Sequence, residues 1–358
     1  MPKPKLSWWQ RIKLKPFFIR LFNWEFWPMW VISFPTFFYW LYLSIRARSF
    51  FWFSATNPGI YTGGMIGESK REISAIVPDE YEPVTVFIAG DCSNEEALAQ
   101  MKEAGLDFPV IVKPSRGQRG NGVRKITSVE ELNAYNSTLV VEYLLQEFID
   151  YSIEAGVMHY YYPDTEESGI LSLTIKGFLT IVGDGESTWL ELMQLNPRAV
   201  LVMDRLKKDY KDQLDKVLGK DEKVVLEGIG NHSRGTAFLA RQELICDSMV
   251  KGFDVITKSI KGLYFCRYDL RCPSIEDLQH GRNIKIMEIN GVGADPAHVF
   301  DPSVPMLEKY RIIFRQWKIM HQIARINHEK GAPYMTYKEV RTHMKGLKEH
   351  NKLLDRLG

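Results

Sequence analysis

The pattern of hydrophobic and polar positions changes near residue 60. Before that point, residues 26–45 form a run of twenty residues without a charged side chain. After it, short β-rich runs alternate with helical stretches, as in proteins that combine helices and sheets. The pattern therefore predicts an N-terminal hydrophobic helical segment, followed by a larger α+β region.

Four runs in the α+β region predict strands, at 84–89, 109–113, 179–183 and 284–289. Helices are predicted at 93–105 and 128–135, because each of these stretches begins with Ser followed three residues later by Glu, the signature of a capping box. Nearer the C-terminus, residues 303–331 carry apolar residues near helical spacing and end at a glycine. Thr336 and Glu339 form another capping box, which predicts a further Lys-rich helix.

The uncharged segment at 26–45 is long enough, at about 30 Å as a helix, to cross the hydrocarbon core of a membrane. Pro35 costs about 3 kcal/mol in a straight helix, so a re-entrant or interfacial arrangement is an alternative to a span. Seven of the nine tryptophans fall within the first 52 residues, and basic residues flank the segment on both sides. We therefore expect residues 1–60 to hold the protein at the cytoplasmic face of a membrane, in contact with lipid. The alternative is a buried aromatic helical hairpin.

Composition and charge exclude several classes of protein. A chain of 358 residues that is 45% hydrophobic can bury a core, so it is neither disordered nor a disulfide-stapled miniprotein. Its four cysteines contain no C-x-x-C pair, which favours free buried thiols in a reducing compartment. The net charge of +2 gives no indication of a nucleic-acid partner.

This small net charge hides an uneven distribution. Residues 1–50 hold eight Lys/Arg and one acidic residue, and residues 304–358 hold twelve and five, so the region between them must carry a charge of −12. The basic C-terminal helices are therefore expected either to pack on the acidic region or to contact anionic lipid.

The stretch at 109–123 carries the clearest chemical signal. A predicted strand leads to Lys113 and then to a loop that contains Gly117, Gly120 and Gly122. Glycines let backbone N–H groups approach phosphate oxygens closely, and a lysine adds a positive charge. The spacing is neither that of a Walker A loop nor that of a Rossmann fingerprint. By itself the loop would also fit a flexible hairpin.

Three oxygen donors follow on two strand-like segments: Asp269, Glu288 and Asn290. Spacing of two residues puts Glu288 and Asn290 on the same face of a strand. Hard oxygen donors of this kind suit Mg²⁺, with Mn²⁺ as a substitute, because Mg²⁺ is usually held by a few carboxylates and substrate phosphates. The glycine loop and the donors together predict a site for a phosphate-bearing ligand and a metal ion.

From about Lys70 to Pro302, the sequence resembles the ATP-grasp superfamily, in particular D-alanine–D-alanine ligases and the ATP-grasp modules of cyanophycin and glutathione-type synthetases. The resemblance is carried by the stretch at 109–123, LLQEFIDYSIE at 144–154, IVGDGEST at 181–188, GNHSRGTAF at 230–238 and the three oxygen donors. It implies an ATP-grasp fold with two α+β subdomains that clamp ATP, at 61–145 and 146–303, and C-terminal helices at 304–358.

The resemblance also implies a role for each motif. Phosphate binding falls to Lys70, Lys113, Gly117, Gly120 and Gly122, with further contacts from Asn231, Ser233, Arg234 and Gly235. Glu147, Phe148 and Ile149 would line the adenine, and Glu154 would accept the ribose hydroxyls. Asp269, Glu288 and Asn290 would hold Mg²⁺. Arg267 and Lys113 would be catalytic, with Arg267 steadying the transferred phosphate.

The function implied is that of an ADP-forming ligase, in which a carboxylate takes the γ-phosphoryl group of ATP and an amine or another nucleophile then displaces phosphate. The family's N-terminal substrate-binding domain has no counterpart before Lys70, so the second-substrate site is unassigned and a lipid-linked substrate is an option. Two alternatives are a membrane-tethered nucleotide-binding regulator without ligase activity and an ATP-grasp phosphotransferase. Among the histidines, His298 follows the metal strand most closely.

Overall fold

The computed structural model describes residues 7–117, 122–138, 141–228, 230 and 232–354. The described chain is a mixed α+β protein whose strand pairs are antiparallel. The strands are β1 (Thr85–Ile88), β2 (Val110–Pro114), β3 (Arg124–Ile126), β4 (Tyr143–Glu147), β5 (Ile153–Tyr161), β6 (Ser168–Gly177), β7 (Leu179–Val182), β8 (Lys223–Glu227), β9 (Ala237–Ala240), β10 (Phe265–Cys272) and β11 (Lys285–Asn290). They form a four-stranded sheet in the order β1-β4-β2-β3, a five-stranded sheet in the order β11-β10-β5-β6-β9, and the pair β7-β8.

The helices cover both ends of the chain and the faces of the sheets. They are α1 (Trp8–Lys13), α2 (Pro16–Phe22), α3 (Met29–Ala47), α4 (Lys70–Ser74), α5 (Asn94–Glu103), α6 (Val129–Asn136), α7 (Trp189–Leu195), α8 (Pro197–Leu201), α9 (Met203–Asp209), α10 (Asp247–Ser259), α11 (Ile275–His280), α12 (Met306–Glu329) and α13 (Tyr337–Leu354). The four predicted strands correspond to β1, β2, β7 and β11, and the predicted helices correspond to α5, α6, α12 and α13.

Local capping explains where several of these helices begin. Ser93 accepts a hydrogen bond from the backbone N–H of Glu96, and the Glu96 carboxylate accepts one from the Ser93 backbone, which completes the predicted capping box of α5. At α13, Thr336 and Glu339 make the same reciprocal pair. At α6, Ser128 caps the helix, but Glu131 accepts from the backbone of Thr127 instead.

Each large sheet packs against helices to form its own core. In the four-stranded sheet, Val110, Val112 and Leu145 pack with Leu132 of α6 and Met101 of α5. The five-stranded sheet buries one face against α10 and α11, through a cluster that includes Val157, Phe253, Tyr268, Leu270 and Leu278. The opposite face of the four-stranded sheet and the part of the opposite face of the five-stranded sheet that α3 and α12 do not cover are left to form a cleft.

The N-terminal segment is held to this framework by buried contacts. Trp52 is fully buried in a cluster with Leu43 of α3 and with Met320 and Ile323 of α12. Tyr39 of α3 packs edge-on against Phe314 of α12, with ring centroids 5.2 Å apart. One face of α3 is therefore occupied by protein, as in the alternative of a buried aromatic hairpin.

The predicted location at the cytoplasmic face of a membrane is wrong. Within the described residues, no helix combines the length and the apolar character that crossing a membrane demands. The reason lies in the composition of α3, where Pro35, Thr36 and Ser44 interrupt the aromatic run and lower its mean hydropathy. The lipid contacts inferred from that location lose their basis.

The first of the two basic C-terminal helices packs on the protein. Asn327 of α12 donates from Nδ2 to the carbonyls of Ala55 and Thr56 at 2.9 and 3.2 Å. Gln316 of the same helix donates to the carbonyl of Ala294 at 2.7 Å. These buried bonds join α12 both to the N-terminal segment and to the chain that follows β11.

Candidate functional site

A cavity of about 780 Å³ lies between the four-stranded and the five-stranded sheet. The sequence-predicted residues that line it are Lys70, Lys113, Gly117, Phe148, Ile149, Glu154, Arg267, Asp269, Glu288 and Asn290. They come from both sheets, from the first residue of α4, and from the loops that follow β2 and β4. The fold thus brings together side chains that lie as much as 220 positions apart in the sequence.

Strand β10 shows how the sequence directs charged groups into this cavity. Arg267, Asp269 and Arg271 occupy alternate positions, and all three line the cavity. Tyr268 and Leu270, at the intervening positions, are fully buried in the core on the other face. The period of two in a strand therefore places the charged side chains on the cavity side.

Lys113 connects the two sheets at the centre of the cavity. Its Nζ donates to Oε1 of Gln146 on β4 at 3.0 Å and to the backbone carbonyl of Met287 on β11 at 2.9 Å. The pairing of β10 with β11 skips Met287, because Asp269 lies opposite Glu288 and Leu270 opposite Ile286. Met287 is the extra residue of a β-bulge, whose backbone is released from the ladder and can accept from Lys113.

The burial of Lys113 changes its acidity. The residue is 9% exposed, and loss of solvation lowers the pKa of its ammonium from 10.5 to about 8, against the opposing pull of Glu288. A lysine with this pKa is still mostly charged near neutral pH. It is therefore a cation that lacks a full counter-charge and is available to an anionic ligand.

Asp269 and Arg267 form an ion pair along the same strand. The guanidinium donates to the two carboxylate oxygens at 3.1 and 3.2 Å, and Asn290 Nδ2 donates to Asp269 Oδ2 at 3.3 Å. Burial opposes ionisation of Asp269, but Arg267 and Lys176 outweigh it and lower the pKa of the carboxyl. Asp269 is thus held ionised inside the cavity.

The predicted metal ligands form a compact set of hard oxygen donors. Asp269 and Glu288 face each other across adjacent strands, and Asn290 lies opposite Arg267. In the described residues, no group of three or more His, Cys, Asp and Glu side chains is placed to hold a metal ion. A set of two carboxylates and one amide still fits Mg²⁺, because that ion takes few protein ligands and completes its shell with water and phosphate oxygens.

A second buried ion-pair cluster surrounds Glu154, the predicted ribose ligand. Lys176 Nζ donates to its Oε1 at 3.0 Å, and Arg271 donates to its Oε2 at 2.7 and 2.9 Å. Burial lowers the pKa of Lys176, but Asp269 and Glu154 outweigh that effect and raise it. Two cations therefore fix the carboxylate of Glu154 at the cavity wall.

Phe148 and Ile149 form the apolar part of the lining near this cluster. Lys125 Nζ lies 3.8 Å from the ring centroid of Phe148. The guanidinium of Arg271 is 5.8 Å from the same ring, and it donates to the carbonyl of Ile149 at 2.7 Å. A flat aromatic wall with nearby cations and backbone groups suits a planar heterocycle.

The glycine-rich loop is hydrogen-bonded to Lys70, the first residue of α4. Lys70 Nζ donates to the carbonyl of Gly117 at 3.2 Å, and the Lys70 backbone N–H donates to Ser115. Gly122 has a φ of +73°, and a Cβ there would lie 2.8 Å from Pro114. The loop turn thus depends on glycine at position 122, although Gly122 is not among the cavity-lining residues.

Several predicted ligands lie elsewhere or fall outside the described residues. The carboxylate of Glu147 accepts from the backbone of Val84 at 3.2 Å, and Glu147 does not line the cavity. Arg234 donates to the carbonyl of Val123 and contacts Glu227, which attaches its segment to the glycine-rich loop. Gly120 and Asn231 lie outside the described residues. The predicted roles of all these residues stay predictions.

His298 is not part of the cavity. It is 2% exposed, its Nδ1 lies 2.6 Å from Oγ of Ser172, and burial lowers its pKa to about 4. A buried, neutral histidine that hydrogen-bonds to a serine of β6 contributes to packing. The cysteines are all free, as predicted, and Cys266 and Cys272 are buried.

Several charged residues of the cavity were not predicted from the sequence. Arg271 continues the alternation of Arg267 and Asp269, so the period of two on β10 could have identified it. Lys176 and Glu68 carried no local signal, because their positions depend on how distant strands and segments meet. The same holds for Leu347 and Asn351, which reach the cavity from α13.

Comparison with known proteins gives similarity of fold only. No protein-family model and no curated protein matches the sequence. The structure of a D-alanine–D-alanine ligase from Bacillus anthracis is 12% identical with a TM-score of 0.41, over 74% of this chain and 69% of that chain. A VanG D-Ala:D-Ser ligase from Enterococcus faecalis is 15% identical with a TM-score of 0.36, over 73% and 58%.

A bifunctional glutathione synthetase from Pasteurella multocida is 16% identical with a TM-score of 0.37, over 66% of this chain and 34% of that chain. The chain thus spans about a third of the length of that synthetase. Similarities this distant and partial carry no conclusion about the reaction.

Proposed function

We propose that this protein is an ATP-dependent ligase of the ATP-grasp type, which joins a carboxylate to an amine or a related nucleophile and releases ADP and phosphate. The observation that carries the proposal is the cavity between two antiparallel sheets, whose lining combines the cations Lys113 and Arg267 with the carboxylates Asp269 and Glu288. Cations for a triphosphate and oxygen donors for a metal ion are the two requirements of phosphoryl transfer from ATP.

The cationic groups suit a triphosphate. Burial lowers the pKa of Lys113 to about 8, so its ammonium is mostly charged at neutral pH. Lys70 donates to the carbonyl of Gly117. Arg267 lies two residues from Asp269 on the cavity face of β10. A polyphosphate placed among the three would supply the counter-charges that Lys113 lacks. The aromatic wall at Phe148 would take the adenine, and Glu154 would face the ribose.

Asp269, Glu288 and Asn290 would hold Mg²⁺, which supplies neutralisation of phosphate charge when it is bound. The chain's own groups account for the rest of the binding. Arg267 and Lys113 hold the γ-phosphate and stabilise the negative charge that develops on it. The sheets on both sides of the cavity exclude bulk water from the reacting groups.

The proposed chemistry has two steps. A carboxylate oxygen of the substrate attacks the γ-phosphorus, the bond from that phosphorus to the bridging oxygen of ADP breaks, and an acyl phosphate forms. An amine then attacks the acyl carbon, phosphate leaves with the bonding electrons, and the amine nitrogen loses a proton. Neither step requires a Ser, Cys or His nucleophile from the protein, which agrees with the burial of His298 outside the cavity.

The test combines nucleotide binding with isotope exchange. We expect Mg²⁺-dependent binding of ADP and ATP, and movement of ¹⁸O between bridging and non-bridging positions of ATP when a panel of carboxylic acids is supplied. Lys113→Met should abolish both, and Lys102→Met on the exposed side of α5 should change neither. Failure of Lys113→Met to alter nucleotide binding would falsify the proposal.

The same experiment separates the alternatives. A nucleotide-binding regulator would bind ATP but catalyse no exchange with any acid in the panel. A phosphotransferase would leave a stable phosphorylated product, which a subsequent amine does not displace. Detection of an amide together with ADP and phosphate identifies the ligase.

A further inference from the structure

One wall of the cavity is built from parts of the chain that the sequence motifs do not include. We call it the rim, and it consists of residues 65–68 together with α13. Met65, Ile66, Gly67 and Glu68 line the cavity from one side, and Leu347 and Asn351 line it from α13. The rim adjoins the phosphate-binding groups, because Glu68 precedes Lys70 by two residues.

Backbone bonds hold the first part of the rim against the strand of the predicted metal ligands. Val292 N–H donates to Gly63 at 3.1 Å, and Gly293 N–H donates to Gly64 at 3.0 Å. The approach is so close that a Cβ on Gly64 would lie 2.7 Å from Cα of Gly291. Residues 65–68 are therefore fixed directly beside the end of β11, where Glu288 and Asn290 enter the cavity.

The second part of the rim, α13, is attached through three residues on one face. His343 Nε2 lies 2.8 Å from the carbonyl of Ile66, and since a carbonyl can only accept, that nitrogen carries the proton. A Cβ on Gly67 would lie 3.0 Å from Leu347, so the helix packs tightly there. His350 Nε2 donates to the carbonyl of Arg116, beside the glycine-rich loop, at 3.3 Å. The helix thus spans from residues 65–68 to that loop.

Glu68 gives the rim its chemical character. Within the described residues, its carboxylate forms no hydrogen bond or ion pair with another side chain, whereas Asp269 and Glu154 are each paired with cations. Burial raises the pKa of the Glu68 carboxyl, and the negative charge of Glu288 adds to the effect. A carboxylate in this position is stabilised by a cation that comes from a ligand.

We propose that the rim is the binding site for the nucleophile, and that Glu68 binds the ammonium group of a primary amine whose apolar body lies against Met65, Ile66 and Leu347. This inference rests on the proposed ligase function and assigns the second substrate to that site. The rim lies beside the end of β11, whose donors enter the cavity where the acyl phosphate would form. Of the other carboxylates in the cavity, Asp269 and Glu154 are paired with cations and Glu288 is assigned to Mg²⁺, so Glu68 is the rim carboxylate that can attract an ammonium.

Hexylamine, which is an alkylammonium near neutral pH, is a suitable probe, and 1-hexanol is its uncharged counterpart. Saturation-transfer NMR titrations are run on the full-length chain, with and without Mg²⁺ and ADP, and ADP affinity is measured separately by calorimetry. The variants are Glu68→Gln, Leu347→Ala and, as a matched control, Glu72→Gln, which removes an exposed carboxylate on α4 that does not line the cavity.

We expect Glu68→Gln to weaken hexylamine binding by about tenfold or more, because a charge-assisted contact is lost. Leu347→Ala should weaken it by about fivefold through lost apolar contact. ADP affinity should change by less than about twofold in both variants, and Glu72→Gln should change neither ligand. 1-Hexanol should bind more weakly than hexylamine to the wild-type protein.

Two results would overturn the inference: equal hexylamine affinity in the Glu68→Gln variant and the wild type, or 1-hexanol affinity that matches that of hexylamine. A wild-type protein that does not bind ADP overturns the proposed function instead. Because hexylamine is also titrated without nucleotide, the two failures are distinguished.

Discussion

Lys113 and Lys176 are both buried lysines of the same cavity, yet their pKa values are shifted in opposite directions. Replacing each by methionine removes a charge and keeps a flexible apolar side chain of similar length. The two variants therefore separate a lysine reserved for a ligand from a lysine that stabilises the fold. Lys113→Met should abolish nucleotide binding with little change in stability, whereas Lys176→Met should destabilise the protein.

The magnitudes follow from the environment of each ammonium. For Lys113, the difference between a pKa of 10.5 and one of about 8 corresponds to about 3 kcal/mol of preference for the neutral amine, which is lost from folding stability at neutral pH. Methionine removes that cost but leaves Gln146 and the carbonyl of Met287 without their donor, at about 1–3 kcal/mol for each acceptor. These contributions nearly cancel. Lys176→Met leaves Glu154 with Arg271 as its only cation among these bonds, so we expect a loss of about 2 kcal/mol or more.

The assays are urea unfolding followed by circular dichroism, and calorimetric titration with Mg²⁺ and ADP. For the wild type, the unfolded chain binds the Lys113 proton more tightly than the folded chain does. The free energy of unfolding should therefore rise with pH between about 8 and 10.5 through this group. Lys113→Met should lack that rise. Nucleotide affinity of the wild type should fall above about pH 8, since the bound phosphate requires the protonated amine.

Two results would refute the assignment of Lys113 to a ligand. One is that Lys113→Met destabilises the protein as much as Lys176→Met, and the other is that Lys113→Met leaves ADP affinity within about threefold of the wild type. Either result would mean that the Lys113 ammonium is satisfied within the protein and is not held for a ligand. Lys102→Met serves as the control for loss of an exposed lysine.

Three further predictions concern other parts of the molecule. Asp269→Asn should lower the free energy of unfolding by about 3 kcal/mol, because the partly buried Arg267 loses its partner. It should also remove the Mg²⁺ dependence of ADP binding, which calorimetry with and without Mg²⁺ tests. Gly122→Ala should cost about 2 kcal/mol or more in urea unfolding, since its φ of +73° and a close approach to Pro114 both oppose a side chain. Gly105→Ala, with a φ of +72° and open space, should cost about 1 kcal/mol, and equal losses would contradict the role of the contact. Burial lowers the pKa of His321 to about 4, so the free energy of unfolding of the wild type should fall by up to about 3 kcal/mol as the pH falls from about 6.5 to 4. His321→Leu should lose less over the same range. The same pH dependence of unfolding in both proteins would count against this.

The features that the sequence predicted well are those with local causes. The starts of α5 and α13 follow from capping pairs three residues apart, which need nothing beyond the helix itself. The spacing of Glu288 and Asn290 predicts that they share a face, because the period of a strand is a property of its backbone. The glycine loop and the three oxygen donors were predicted to form one site, and Gly117, Asp269, Glu288 and Asn290 line the same cavity.

The sequence misled where a pattern specified a hydrophobic face but not what covers it. The aromatic run at 26–45 is typical of a membrane segment, and in the folded chain one face of it, with Tyr39 and Leu43, packs on α12. An apolar stripe buries itself against lipid or protein for the same physical reason, which is removal of surface from water. Only the presence of a complementary helix, far along the chain, decides between them.

The sequence by itself determined the capped helix starts, four of the strands, and the set of groups available for a phosphate-bearing ligand, because these depend on neighbours within a few positions. Tertiary structure decided the rest. The bulge at Met287 gives Lys113 its second acceptor, the pairing of Glu154 with Lys176 and Arg271 fixes a charge at the cavity wall, and the contact of Gly67 with Leu347 brings α13 to the rim. Each of these depends on distances between segments that no local pattern encodes.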